Sequence, residues 1–221
     1  ETLPEPPVSD EFGRIDAASA IERFCVEVLD LVAPHVPAVK INSAFFEALY
    51  GEGFAALHRV IERAHDRGLL VIADVKRGDI GSTSRMYAQG YLSDPPPAWK
   101  TFRTSEALPD AITIAGYMGE SGVRPFIEAA AAAGRGLYVL VRPSEPSADL
   151  IHEFGAPTRL YEHLARLLQE WSGAEKLRGA CGLSCVGAVV APKDPASTSA
   201  LRAMLPNTPF LVPGYGAQGA T

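Results

Sequence analysis

Asp74, Lys76 and Asp79 fall close together in the stretch Leu69–Thr83, which reads LLVIADVKRGDIGST. Five apolar residues lead directly into these charges. Residues i and i+2 of a strand share a face, so Asp74 and Lys76 are expected side by side. Asp79 lies beyond the expected strand end, where the chain can fold back. Neighbouring carboxylates raise one another's pKa values, and an intervening lysine lowers them. Two acids and a base on a rigid strand can engage a small charged substrate. A surface ion-pair network has the same spacing, and spacing alone does not choose between them.

The apolar run before Asp74 reads as a buried parallel strand over 69–76. Charged residues at the carboxyl end of such a strand point more often to chemistry than to stability. Upstream, Asp16 is a candidate N-cap for a helix over 17–33, with Ile21, Phe24, Cys25, Val28 and Val32 at helical spacing and Pro34 ending it. A short strand is expected over 38–42, with Lys40 near its end. Phe45 and Phe46 follow as core and interface packing. A helix over 53–67 turns Leu57, Val60, Ile61 and Ala64 inward and stops at Gly68.

Downstream, a helix is expected over 83–91. A proline-bearing surface excursion then spans 92–108. Strand 111–114 opens into Gly116-Tyr117-Met118-Gly119. A helix covers 123–133, and strand 136–141 delivers Arg142, Pro143 and Ser144. Helix 158–171 carries the stripe Leu160, Leu164, Leu167, Leu168 and Trp171, with Trp171 read as core. Strand 182–190 has small residues that imply close approach. Helix 197–205 and strand 210–212 lead into Pro213-Gly214-Tyr215-Gly216-Ala217-Gln218-Gly219.

Six strands alternating with helices describe a parallel sheet covered by helices. Polar groups follow several strands: Lys40, Asp74, Lys76 and Asp79, Tyr117, Ser144 and Gln218. That distribution suits a (β/α)8 active site, although six strands are two short. Either the sheet is open or pieces at both ends lie outside the sequence. Gly214, Gly216 and Gly219 could turn backbone N–H groups toward a phosphate, or form an ordinary glycine-rich turn. No G-x-G-x-x-G follows the first strand and no G-K-[ST] occurs, so Rossmann or P-loop nucleotide binding is unsupported.

A chain of 221 residues suffices for one domain that buries about 70% of its extended surface. Its net charge of −6 argues against a general nucleic-acid or membrane-surface binder. The three cysteines, Cys25, Cys181 and Cys185, make no disulfide framework, and the redox reading is cytosolic. Cys181 and Cys185 lack the partners a metal site needs. No run of 18 apolar residues suggests a membrane span. No signal peptide is visible, and the start at Glu1 leaves an upstream segment open.

Asp74-x-Lys76-x-x-Asp79-Ile80 with Thr83 resembles the signature of orotidine 5′-phosphate decarboxylases. Lys40 in VKINSAFFE resembles the second-strand lysine in the form of the bacterial type 2 branch. Val186-Gly187-Ala188 resembles the sixth-strand segment, and the 213–219 stretch resembles the phosphate loop. The resemblance implies a (β/α)8 TIM barrel, here a single domain over 1–221, incomplete at both ends because strands one and eight are absent. It implies a cytoplasmic homodimer that forms UMP in pyrimidine biosynthesis, with no metal or organic cofactor and no nucleic-acid or membrane partner.

By the same resemblance, Lys40, Asp74, Lys76 and Asp79 form an alternating charged network. Asp79, Ile80 and Thr83 reach the neighbouring subunit's site. Asn42, Tyr117, Ser144, Pro213, Gly214, Gly216 and Gln218 join Ile80 and Thr83 in binding substrate, with Ser144 reading the pyrimidine. Gly116-Tyr117 replaces a usual Pro-Tyr, and Arg142-Pro143-Ser144 a usual Arg-Thr-Ser. Two rivals remain: a Mg²⁺-dependent sugar-phosphate decarboxylase or isomerase, and a non-catalytic barrel that binds phosphate ligands.

Overall fold

The computed structural model describes residues 13–93 and 107–214, with side chains from residue 17. The chain runs through α1 (Gly13–Val32), β1 (Ala38–Asn42), α2 (Ala44–Glu47), α3 (Tyr50–His65), β2 (Leu70–Arg77) and α4 (Gly81–Leu92). It continues with β3 (Ala111–Ala115), α5 (Glu120–Ala133), β4 (Gly136–Arg142), α6 (Asp149–His152) and α7 (Leu160–Ser172). The last elements are β5 (Val186–Val190), α8 (Pro195–Met204) and β6 (Phe210–Leu211). The fold is α/β of the TIM-barrel class. The six strands among the described residues follow the order β1-β2-β3-β4-β5-β6. The pairs β1–β2, β4–β5 and β5–β6 are parallel.

The described residues group into two compact units. One holds those up to Val75 and from Gly90 to Ile112; the other holds Lys76–Gln89 and those from Thr113 onward. In the first, α3 buries Ala56, Leu57, Val60, Ile61 and Ala64, with Ile21 and Leu29 of α1 and Val71 of β2 in the same core. Each large side chain so buried contributes about 1.5–3 kcal/mol. Ion pairs Arg59–Glu22 at 2.7 Å and Arg67–Asp30 at 2.5 Å join α3 and its end to α1.

In the second unit, Val123, Phe126 and Ile127 of α5, Leu137, Val139 and Val141 of β4, and all of β5 are buried. A Cβ on Gly187 would stand 2.3 Å from the Tyr138 ring, so the small residue is what lets β5 lie against β4.

Several expectations need correction. Asp16 is not an N-cap, because α1 already begins at Gly13. The strand expected over 182–190 starts only at Val186, since Arg178 and Ser184 form an isolated antiparallel bridge ahead of it. In α7 the buried stripe is Tyr161, Ala165, Leu168 and Trp171; Leu160, Leu164 and Leu167 are half-buried. Trp171 is core as expected. Phe46 is buried, whereas Phe45 is exposed. Most of the 92–108 excursion lies outside the described residues.

Candidate active site

In the first unit the β1–β2 register pairs Lys40 with Ile72 and Asn42 with Asp74. Paired residues and their i+2 neighbours share a face, so Lys40 and Asp74 project to the same side. The Lys40 ammonium lies 2.9 Å from Asp74 Oδ2. Asp74 is 8% exposed and the Lys40 side chain 41%, so a buried carboxylate faces a cation still open to water. Ser43 fixes the backbone beside it. Its N–H donates to the Asp74 carbonyl at 3.3 Å, and its hydroxyl donates to Glu47 at 2.7 Å. Asn42 Oδ1 accepts from the Ala44 N–H at 3.0 Å, which directs that amide toward the start of α2.

In the second unit, Lys76 has φ +44°, the left-handed region that side-chain-bearing residues avoid. Such a residue costs about 1–3 kcal/mol and persists only where its surroundings impose it. One contact that holds it is Thr113 of β3, buried, whose hydroxyl oxygen accepts from the Lys76 N–H at 2.9 Å. The turn at Lys76 breaks strand alternation one residue before β2 ends.

Asp79 follows in the loop between β2 and α4. Its Oδ1 accepts from the Ile80 N–H at 2.7 Å, and its carbonyl accepts from the buried Ser84 hydroxyl at 2.9 Å. A Cβ on Gly122 would stand 2.6 Å from that carbonyl, so α5 approaches the Asp79 backbone as closely as only glycine permits. Ile80 is exposed, and Thr83 is half-buried in the first turn of α4. Tyr117 is 90% exposed in the turn after β3. Ser144 is half-buried two residues past β4, and Pro213 and Gly214 are half-buried after β6. Gly216 and Gln218 lie outside the described residues.

Sequence reasoning missed Ser43, Thr113 and Arg142. Thr113 is the one polar residue in AITIA, a signal that was present. Among the described residues, no group of three His, Cys, Asp or Glu side chains gathers as metal ligands would. Burial also pushes the Cys185 thiol up, away from the thiolate a metal needs.

A model of the orotidine 5′-phosphate decarboxylase / HUMPS family matches residues 15–221. The chain belongs to this family. An orotidine 5′-phosphate decarboxylase of Rhodopirellula baltica is 36% identical over 225 residues, covering 100% of this chain and 72% of the relative. One from Caldicellulosiruptor bescii is 39% identical over 193 residues, covering 87% and 62%. Among solved structures, UMP synthase of Leishmania donovani aligns at TM-score 0.74 with 30% identity, covering 98% of this chain and 42% of that one. The chain thus spans less than two thirds of some of the family relatives it matches. Among the described residues, no helix is long and apolar enough to cross a membrane.

Proposed function

We propose that this protein is an orotidine 5′-phosphate decarboxylase, a lyase that forms UMP in de novo pyrimidine biosynthesis. The observation that carries the reading is the family match over 15–221, together with relatives that bear that enzyme's name. We take the chain as one decarboxylase domain acting in the cytoplasm.

In the reaction, the bond between C6 of the pyrimidine and its carboxylate breaks. CO₂ leaves, and the electron pair stays on C6. A proton from the Lys76 ammonium then goes to C6. A preorganised cation stabilises the developing charge without reorganisation at the moment of reaction. The strained backbone at Lys76 supports this role, because the bond to Thr113 helps set the backbone from which the side chain projects. Lys40 contacts the ribose and holds Asp74, a role supported by their 2.9 Å ion pair. Asp74 in turn lies close to the substrate carboxylate. Binding energy from the remote phosphate, held at Pro213, Gly214, Gly216 and Gln218, closes the site. Asn42, Tyr117 and Ser144 contact the nucleoside.

The assembly is a homodimer in which Asp79, Ile80 and Thr83 complete the neighbour's site. Exposure of the apolar Ile80, Met86 and Tyr87 at and before α4 supports it. Sedimentation of Ile80→Asp as a monomer, with lowered turnover, is the expected result.

The test of the activity is loss of orotidine 5′-phosphate absorbance, repeated with Lys76→Ala. A fall on the order of 10²-fold or more is expected if Lys76 is the acid, and unchanged turnover removes it from that role. The sugar-phosphate rival predicts loss of activity on adding a chelator; the decarboxylase reading predicts none.

A further inference from the structure

Arg142 ends β4 in the second unit and is 5% exposed. A guanidinium that deeply buried is costly unless paired and hydrogen-bonded. Its Nη2 donates to Glu153 Oε1 at 2.6 Å. Its Nη1 lies 3.5 Å from Asp194 Oδ2 and donates to the Ser197 hydroxyl. Its plane covers the Tyr161 ring at 4.4 Å from the centroid. One side chain therefore ties the segment after β4 to the segment after β5 and to α7.

The Arg142–Glu153 contact closes residues 143–152 into a loop at its neck. Arg159 holds Glu153 from the other side at 2.9 Å. A second ion pair, Lys193–Asp149, fastens the loop farther along to the segment after β5. The charges balance: Arg142, Arg159 and Lys193 against Glu153, Asp194 and Asp149. Ser144 lies inside this doubly held loop, two residues beyond Arg142. Loops at the carboxyl ends of parallel strands are where α/β proteins bind their ligands.

We infer that Arg142 is a positioning residue for pyrimidine recognition: by clamping the 143–153 loop to the 191–197 segment, it fixes Ser144 against the base. The inference rests on the decarboxylase reading. The clamp acts on the base end of the ligand and not on its phosphate end. Lysine cannot replace it, because a single ammonium cannot span Glu153 and Asp194 while stacking on Tyr161.

The experiment compares the protein with Arg142→Lys, measuring turnover and the binding of UMP and of ribose 5-phosphate, which lacks the base. Circular dichroism checks the fold. UMP affinity is expected to fall on the order of tenfold to 10²-fold, the scale of losses from a misplaced contact, with ribose 5-phosphate affinity held. Should Arg142→Lys fail to fold, Glu153→Gln keeps the guanidinium, loosens the neck and is expected to show the same selective loss at smaller size. Equal weakening of both ligands, or of neither, overturns the inference. If the unmutated protein does not decarboxylate orotidine 5′-phosphate, the functional reading itself falls; if it does and the UMP preference is unmoved, only the role of Arg142 falls.

Discussion

The ammonium of Lys40 on β1 stands 2.9 Å from Oδ2 of Asp74 on β2, and only the carboxylate is buried. Removing the lysine takes one cation away from a buried carboxylate. That costs about 3–5 kcal/mol in a fully buried pair and under about 1 kcal/mol in an exposed one. With Lys40 open to water, Lys40→Ala is expected to cost about 1–3 kcal/mol in urea unfolding. Asp74→Asn removes the charge that needed a partner, so its cost is expected to be smaller. Both are expected to lower turnover by at least about 10²-fold, and activity in either variant near that of the unmutated protein would detach the pair from catalysis.

Thr113 offers a test of the strained turn at Lys76. Thr113→Val keeps the shape of the side chain and removes the oxygen that accepts from the Lys76 N–H. Loss of this bond is expected to destabilise the protein by about 1–3 kcal/mol. It also removes one restraint on the Lys76 backbone at φ +44°. Turnover is therefore expected to fall more in Thr113→Val than in Thr113→Ser, which keeps the acceptor. Equal kcat in the two variants would show that this restraint does not matter.

Gly122 sets the position of Asp79. An added methyl group would meet the Asp79 carbonyl at 2.6 Å and the Met118 Cβ at 2.8 Å. Neither can yield without moving α5 or the β2–α4 loop. Gly122→Ala is expected to cost about 1–3 kcal/mol as overpacking, offset in part by the better helix propensity of alanine. Because Asp79 is proposed to serve the neighbouring subunit's site, the variant is also expected to lose activity while Gly134→Ala, in open space past α5, does not. Its own cost is the strain of alanine at φ +65°.

The strands and the charged stretch were legible in the sequence because apolar runs and strand-end charges are local signals. β1 spans 38–42 as expected, and α3 turns Leu57, Val60, Ile61 and Ala64 inward. The start of β5 was not legible: residues 182–185 are spaced like a strand, but Ser184 pairs with Arg178 in a separate bridge. Local spacing shows Arg142 at a strand end, and the family resemblance shows it in an Arg142-Pro143-Ser144 motif, but neither shows its clamp. Its importance comes from Glu153, Asp194 and Tyr161, partners far along the chain whose convergence no local spacing encodes. Thr113 and Gly122 belong to the same kind, since each matters through a backbone atom of the distant 76–79 segment.

His152, in the loop that Arg142 closes, gives the protein an acid-sensitive point. Its Nδ1 is buried with no hydrogen-bond partner among the described residues. Burial, and secondarily the Lys193 ammonium, push its pKa down; Arg142 acts in the same sense, while Asp149 and Glu153 oppose it. The folded protein thus favours the neutral ring, whereas the unfolded chain titrates near the ordinary value of about 6.5. Below that value the unfolded state binds a proton that the folded state does not, so stability falls as pH falls, until the depressed folded pKa is passed. Above it His152 contributes no slope. The Asp194 carboxyl is also held low, chiefly by hydrogen bonds from Ser197, but its stabilisation is lost only at more acid pH, in the carboxylate range. Urea midpoints measured between about pH 7.5 and 5.5 should therefore decline with acidification. His152→Gln, which cannot take up a proton, is expected to show a shallower decline. Parallel slopes for the two proteins would mean that His152 is not the group responsible.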